Sequence, residues 1–435
     1  MLVPNVGSAV AGVGVTAPLW VGLLVGIAFG IPASLWGIGN PETVIRTGRL
    51  VDRLLIGCFA SVTAFGAVLL YGLHAVGLPM HFDPKPLYVY SGAIGGVNFG
   101  IGAAIGGYFP GTEWIALGEG RRDALYAIPG GLMGAAAWTL IYQTTVGQLL
   151  VSSANVGEMV VTGHVADTRP WTMLAVAVGY AAVVLTLLYF LPRYKGGAHS
   201  CRRHLGTGCV DDHDRAFIRD TTAFLTEGAV DVAQRRVRRL QQWVNAEAVP
   251  FTNYYARTIL GVASTVALIV VGSILLRQVF GQSTTYSWLI GTLLLQNFDY
   301  TAVVVHGIGW EPLSDVGVMV GAMITSVFIS GRFTAFRPVV PPSWRNRFGT
   351  SPIRRGFAAF TGSFLVLFGA RMAGGCTSGH TLSGGVQLSL SAWVFTAAVV
   401  LSMVFTARLV YRDTTWLTVP PQGTGAPEAI PGGGR

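Results

Sequence analysis

Long apolar stretches alternate with short polar ones along almost the whole chain. In the first half the apolar runs fall at about Pro18–Trp36, Leu54–Leu78, Tyr88–Tyr108, Ala127–Leu150 and Trp171–Leu191. In the second half they fall near Thr258–Leu276, Ser287–His306, Leu313–Ile329, Gly356–Ala373 and Ala392–Ala407. At 1.5 Å of rise per residue, such runs are long enough to cross an apolar layer of roughly 30 Å. The pattern predicts an all-α polytopic membrane protein.

The polar intervals divide the chain. A first membrane unit occupies residues 1–192, a charged connector 193–256, a second membrane unit 257–414 and a tail 415–435, whose Pro and Gly content predicts disorder. Gly37–Arg53 reads as a polar connector carrying Arg46, Arg49 and Arg53, and Val151–Arg169 as a polar loop. The central connector is helix-prone, with Arg235-Arg236 and Arg238-Arg239 on successive turns, a surface suited to lipid headgroups. The loop Gly331–Arg355 holds Arg332, Arg337, Arg345, Arg347, Arg354 and Arg355 and no acid. Positive charge favours the cytoplasmic side, so both segments are expected there. Three apolar runs separate them, and an even number of crossings is required. The run containing Gln296, Asn297, Asp299 and His306 is the most polar, and it is the candidate for entering and leaving on one side. This gives about nine crossings, N-terminus out and C-terminus in, with the two units antiparallel. Counting all ten runs as spans would instead make the units parallel and leave the arginine-rich loop outside.

Composition agrees with the membrane assignment. Of 435 residues, 51% are hydrophobic, 11% charged and 58 are glycine, too apolar and too Gly-rich for an ordinary soluble domain. The net charge of +9 sits in arginine-bearing loops, which fits membrane lipids as partners and not nucleic acid. Four cysteines, two of them in apolar segments, make no secreted disulfide framework. Met1–Thr16 carries no Lys or Arg and so lacks the basic start of a signal peptide. Within the connector, His199, Cys201, His204, Cys209 and His213 fall in a short window that could supply soft metal ligands. The spacing matches no standard zinc finger and Arg202 and Arg203 would repel a cation, so a solvated loop is the favoured reading and no cofactor is expected.

The chemistry concentrates between Gly369 and Gly385, in Gly-Ala-Arg-Met-Ala-Gly-Gly-Cys-Thr-Ser-Gly-His-Thr-Leu-Ser-Gly-Gly. Small residues here follow one apolar run and precede another, so a membrane helix is expected to break. Backbone can leave helical geometry at membrane depth only inside protein or beside a wet cavity. Arg371, Gly375, Cys376, Thr377, Ser378, Gly379 and His380 are therefore candidates for a binding or permeation site. The bland alternative is close helix packing around an inert thiol. Cys58 lacks any glycine break and reads as a packing residue. Gly106-Gly107-Tyr108-Phe109-Pro110-Gly111 echoes Gly374 to Gly379, and Gly37-Ile38-Gly39-Asn40-Pro41 echoes Gly307-Ile308-Gly309-Trp310-Glu311-Pro312, so the second half repeats the first. Such duplication places a substrate path between repeats, on discontinuous helices. Gly107, Tyr108 and Thr112 join the candidates on this ground.

The Gly369–His380 stretch, with Gly37–Pro41, Gly106–Thr112 and Leu117-Gly118-Glu119-Gly120, resembles the YeeE/YedE family of sulfur-transport membrane proteins. That resemblance implies uptake of a small sulfur-containing anion such as thiosulfate across a bacterial inner membrane, through a narrow waist where thiols act as weak donors. Cys376 matches the family's thiol of the second repeat. Tyr108 stands where members commonly carry the first repeat's cysteine, and the opening span has no cysteine, so a thiol-to-thiol relay is incomplete. Tyr108 is expected either to donate its O–H to an oxyanion or to plug the waist. For Arg371 the candidate partners are the anion, Asp299 or Glu119. Two other function classes stand beside transport: a scaffold whose connector recruits a cytosolic sulfurtransferase-type protein, and a redox membrane enzyme. Against the last, the chain has no evident paired intramembrane histidines for haem and no nucleotide or nucleophile motif.

Overall fold

The computed structural model describes residues 17–35, 37–51, 54–164, 169–190 and 251–412. The metal-ligand candidates from His199 to His213, the arginines near Val237 and the tail lie outside them. The first unit contains α1 (Trp20–Leu35), α2 (Pro41–Gly48), α3 (Leu54–Ala75), α4 (Val89–Gly106), α5 (Pro110–Gly118), α6 (Ala124–Tyr142), α7 (Thr145–Ser152) and α8 (Pro170–Phe190). A two-residue hairpin, Met159–Val160 with Gly163–His164, precedes α8. The second contains α9 (Phe251–Leu275), α10 (Thr284–Leu294), α11 (Asp299–Gly307), α12 (Glu311–Ile324), α13 (Pro342–Phe348), α14 (Pro352–Met372) and α15 (Leu390–Val410). Two π-helical stretches, Thr325–Ser330 after α12 and Ser378–Gly384 after α14, complete it. Six helices among the described residues are long and apolar enough to cross a membrane, and α1 and Gly261–Leu275 are shorter apolar helices. The chain is a polytopic helical membrane protein.

Glycine positions decide which helices touch. Within lipid, burying apolar surface brings helices together weakly, so close van der Waals contact between small residues has to do it. On α4, Gly95, Gly102 and Gly106 form one stripe against Gly369, Gly362 and Val366 of α14, while Gly96 and Gly100 form a second against Phe395, Ala398 and Val399 of α15. Rising numbers on α4 meet falling numbers on α14, so those two helices are antiparallel, whereas α4 and α15 run parallel. On the other side of α14, Gly130 and Gly134 of α6 lie against Phe360 and Phe364 in parallel register. Gly22, Gly26 and Gly30 of α1 meet Trp310, Ser314 and Val318 of α12 in the same way. By contrast α8, packed on α3, leaves most of its surface outside the protein, with Trp171, Val183, Leu187 and Phe190 exposed as a lipid-facing helix requires.

Several polar stretches fold differently from their reading as connectors. Gly37–Arg53 contains α2, opened by Asn40 accepting from the Glu42 N–H and by Pro41 in the first turn, and Glu42 and Arg46 are both buried. Glu42 accepts from the Ser343 N–H (2.9 Å) and hydroxyl (2.6 Å), fastening α2 to α13. Val151–Arg169 is shortened, because the fourth apolar run ends at Tyr142 and Thr144 caps a new helix. The run Ser287–His306 is two short helices, α10 and α11, interrupted at Leu295–Phe298. In the first of these stretches the buried carboxylate is absorbed by Ser343 of α13, which hydropathy along the chain does not register.

A charged knot closes the end of the structure nearest the arginine loop. Arg355, on the first turn of α14, donates to Asp123 (Nε, 3.0 Å; Nη2, 2.9 Å) and to the Gly106 carbonyl at the end of α4 (2.6 Å). The Tyr108 hydroxyl donates to the same carboxylate at 2.8 Å. Burial alone would push the Asp123 carboxyl up, but Arg355, Arg121 and the Tyr108 hydrogen bond overcome it and hold its pKa below the ordinary value. A depressed pKa contributes stability above the unfolded value near 4, which is lost as pH falls through the lower folded value. Asp123→Asn in detergent is therefore expected to cost about 3–5 kcal/mol at neutral pH, as for breaking a buried ion pair, and to flatten the acid limb of a melting-temperature profile. Gly362→Val, with no room against Gly106 and Gly102, is expected to abolish a monodisperse fold, whereas Gly179→Val on the open face of α8 leaves melting unchanged. Size-exclusion profiles and melting curves check both.

Candidate functional site

Each unit interrupts a helix at a glycine-rich break. In the first, α4 ends at Gly107, which takes φ of 72° with the Pro41 carbonyl so close that a Cβ would lie 2.8 Å from it. Phe109 then sits extended, Pro110 starts α5, and the Thr112 hydroxyl closes the turn by accepting from the Phe109 N–H (2.8 Å) and donating to its carbonyl (3.0 Å). Glu113, fully buried, accepts from Ser363 of α14 (2.6 Å) and Tyr286 of α10 (2.7 Å), so the short helix is braced from both sides. In the second, α14 gives way at Gly374 (φ 81°), and Cys376 and Thr377 lead into the π-helical turn.

The two breaks border one cavity. Its wall includes Phe109, Gly111, Thr112 and Ile115 from the first, Thr377, Ser378 and Leu382 from the second, Cys58, Phe59 and Val62 from α3, Val262 and Val266 from α9, and Gln282. Most of the wall is apolar, and its polar groups are hydroxyls, a thiol and an amide. Gln282 is buried and its Nε2 has no hydrogen-bond partner, a donor left available on the wall. The first turn of α5, where helical N–H groups lack intrahelical acceptors, opens at this wall. The wall therefore offers weak donors and a helix N-terminus, and among the described residues no carboxylate lines it.

The other candidates from the sequence lie behind or beside this wall. Cys376 is buried one residue back from it, its Sγ 2.9 Å from the Ser378 Oγ. His380 faces the Ala373 carbonyl through Nε2 (2.9 Å) and stacks on Phe395, with Nδ1 unpartnered. Tyr108 is likewise one residue back, fully buried, with its hydroxyl on Asp123 and its ring under the Arg355 guanidinium. Arg371 is bound by neutral groups: it donates to the Tyr300 hydroxyl (2.9 Å), Ser283 (3.1 Å) and Thr284 (3.1 Å). Of its expected acidic partners, Glu119 instead accepts from Ser34 of α1 (2.8 Å). Lys85, from the segment between α3 and α4, lies over the second break, donating to the Gly374 carbonyl at 2.7 Å. Gly375 and Gly379 are small because Lys85 methylenes pass there, 2.7 Å and 3.1 Å from where their Cβ atoms would be.

Three residues at the site escaped the sequence argument in different ways. Cys58 was legible as a thiol in an apolar run but carried no break to mark it. Gln282 and Lys85 stand in short interhelical segments with no motif around them.

Helices interrupted inside the bundle, converging on an enclosed wall of weak donors, define a polytopic membrane protein of the transporter class. A family model described as Sulphur transport matches residues 44–405. The chain belongs to that family. It is also similar to the Thiosulfate transporter TsuA of Spirochaeta thermophila, with 25% identity over 401 residues covering 91% of this chain and 99% of the relative.

If Cys58 lines the cavity and Cys376 stands behind Ser378, small thiosulfonate reagents will modify Cys58 faster than Cys376 in a Cys201→Ser, Cys209→Ser background. Mass spectrometry of the labelled peptides checks the order; preferential labelling of Cys376 would reverse the assignment of the wall.

Proposed function

We propose that the protein carries a small sulfur-containing dianion, thiosulfate by its likeness to the spirochaete transporter, across a bacterial inner membrane through the cavity between the two breaks. The observation that carries this reading is the convergence of both breaks on one wall. Thiosulfate combines oxyanion oxygens with a polarisable terminal sulfur. Hydroxyls of Thr377 and Ser378, the Gln282 amide and the start of α5 suit the oxygens, and the Cys58 thiol, with Cys376 reached through Ser378, suits the sulfur. Neutral donors hold a dianion less firmly than a guanidinium would, which permits release. Lys85 and Arg371, beside the second break, would draw the anion in electrostatically before it meets neutral groups.

The antiparallel contact of α4 with α14 supports inverted repeats, because these are the helices carrying the two echoing motifs. The packing of the remaining helices follows the same exchange: α4 with α15 matches α14 with α6, and α1 with α12 matches α9 with α3. The split of Ser287–His306 into α10 and α11 supports its entering and leaving on one side. With the arginine-rich loop and α13 in the cytoplasm, Lys85 and the second break face the periplasm and the first break faces inward.

Uptake of radiolabelled thiosulfate into proteoliposomes tests the proposal. Gln282→Ala and Cys58→Ala each remove a donor to a charged ligand and are expected to lower the uptake rate about tenfold or more, and Cys376→Ala likewise, while melting temperatures stay near wild type. Tyr108→Phe, which removes a hydroxyl committed to Asp123, is expected to lower stability and leave the rate per folded molecule near wild type. Wild-type rates in the three cavity variants would overturn the proposed path.

A further inference from the structure

One buried acidic side chain among the described residues stands apart from the rest. Asp315, one turn after Glu311 on α12, is 0% exposed, and neither carboxylate oxygen has a hydrogen-bond partner. Other buried acids nearby are satisfied: Glu113 by Ser363 and Tyr286, and Glu311 by the Thr284 and Thr285 N–H groups that open α10. The Thr285 hydroxyl stands toward Asp315 without closing a hydrogen bond, and its oxygen too is without a partner. A carboxylate so placed cannot stay ionised and alone, because removing an unpaired charge from water is far costlier than neutralising it. A proton on the carboxylate removes that cost without any further ligand.

The surroundings give that proton a use. Groups acting electrostatically on Asp315 are Glu311 from its own helix, Tyr286 from α10 and Cys376 from the second break. Beyond them, Glu113 of α5 holds the Tyr286 hydroxyl, while Lys85 over the second break senses Glu311, Cys376 and Arg371 of α14. Glu311, one turn before Asp315, accepts from the start of α10, which follows the wall residue Gln282, so an ionised Asp315 repels an anion at that wall and a neutral one does not. Proton and anion binding therefore favour each other, and by linkage each raises the affinity for the other. A dianion entering a negatively charged interior is opposed on both charges, and a co-transported proton offsets one of them.

We propose that Asp315 is the proton-binding site of an anion–proton symport. This rests on the anion-transport reading and adds its coupling ion. In proteoliposomes containing a pH-sensitive dye, entry of labelled thiosulfate into wild-type vesicles is expected to acidify the lumen. With one proton carried per anion, an inward gradient of one pH unit is expected to raise accumulation by about tenfold. In Asp315→Asn, protons entering per anion should fall to near zero and the gradient should no longer raise accumulation. As a readout independent of any variant's folding, a hydrophobic carbodiimide should modify Asp315 in the wild-type protein, the adduct declining as pH rises. Anion uptake without lumenal acidification, acceleration by a sodium gradient in place of a proton gradient, unchanged coupling in Asp315→Asn, or absence of the adduct would each overturn the inference while leaving anion transport standing. Absence of any sulfur-anion uptake by wild-type protein would overturn both.

Discussion

Peptide groups have no hydrogen-bonding solvent at membrane depth, and the arrangement of this protein follows from that constraint. Two helices stop inside the bundle, at Gly107 and Gly374, so each exposed stretch of backbone must be enclosed by protein or face a polar cavity. Both conditions are met together. The glycine stripes of α4 draw α14 and α15 to backbone contact, and α6 closes on α14 through Gly130 and Gly134. This scaffold holds the breaks against one shared space. Bracing is then specific: Glu113 anchors α5 to α10 and α14, and Arg355 with Asp123 fixes the end of α4 to the start of α14.

The polar groups divide by consequence. Those that stabilise the fold are paired: Tyr108 and Arg355 on Asp123, Glu42 on Ser343, Glu119 on Ser34. Among those left with unused capacity are the Gln282 amide on the cavity wall and the Asp315 carboxylate, to which the proposals above assign a solute and a proton. Such groups are costly to bury, and in a membrane protein an uncompensated polar group points toward transported species more often than toward structure. Arg371 stands between these classes, held by three neutral hydroxyls and carrying its charge near the second break.

Much of this was legible in the chain. Hydropathy located most of the helices, the cluster around Cys376 marked the second break, and its echo at Gly106–Gly111 marked the first. The roles within the breaks were not legible. Tyr108 and Cys376 look like the reactive positions of their motifs, but in each case the next residue, Phe109 or Thr377, faces the cavity, because one step along an irregular backbone turns a side chain from wall to interior. Gly37–Arg53 reads as a polar connector because it carries charge. Its Glu42 and Arg46 are instead buried, with Glu42 held by Ser343, 301 residues along the chain, a separation no local pattern encodes. Cys58 and Gln282 reach the wall only through tertiary packing.

The central claim is that a sulfur anion occupies the space between the two breaks. Selenosulfate, a thiosulfate analogue with selenium at the terminal position, allows its site to be read directly from anomalous scattering in crystals of the protein. The account predicts a selenium peak within contact distance of Cys58, Gln282 and Ser378. A peak confined to the mouth near Lys85, or one at the lipid-facing surface with the cavity empty, would contradict it.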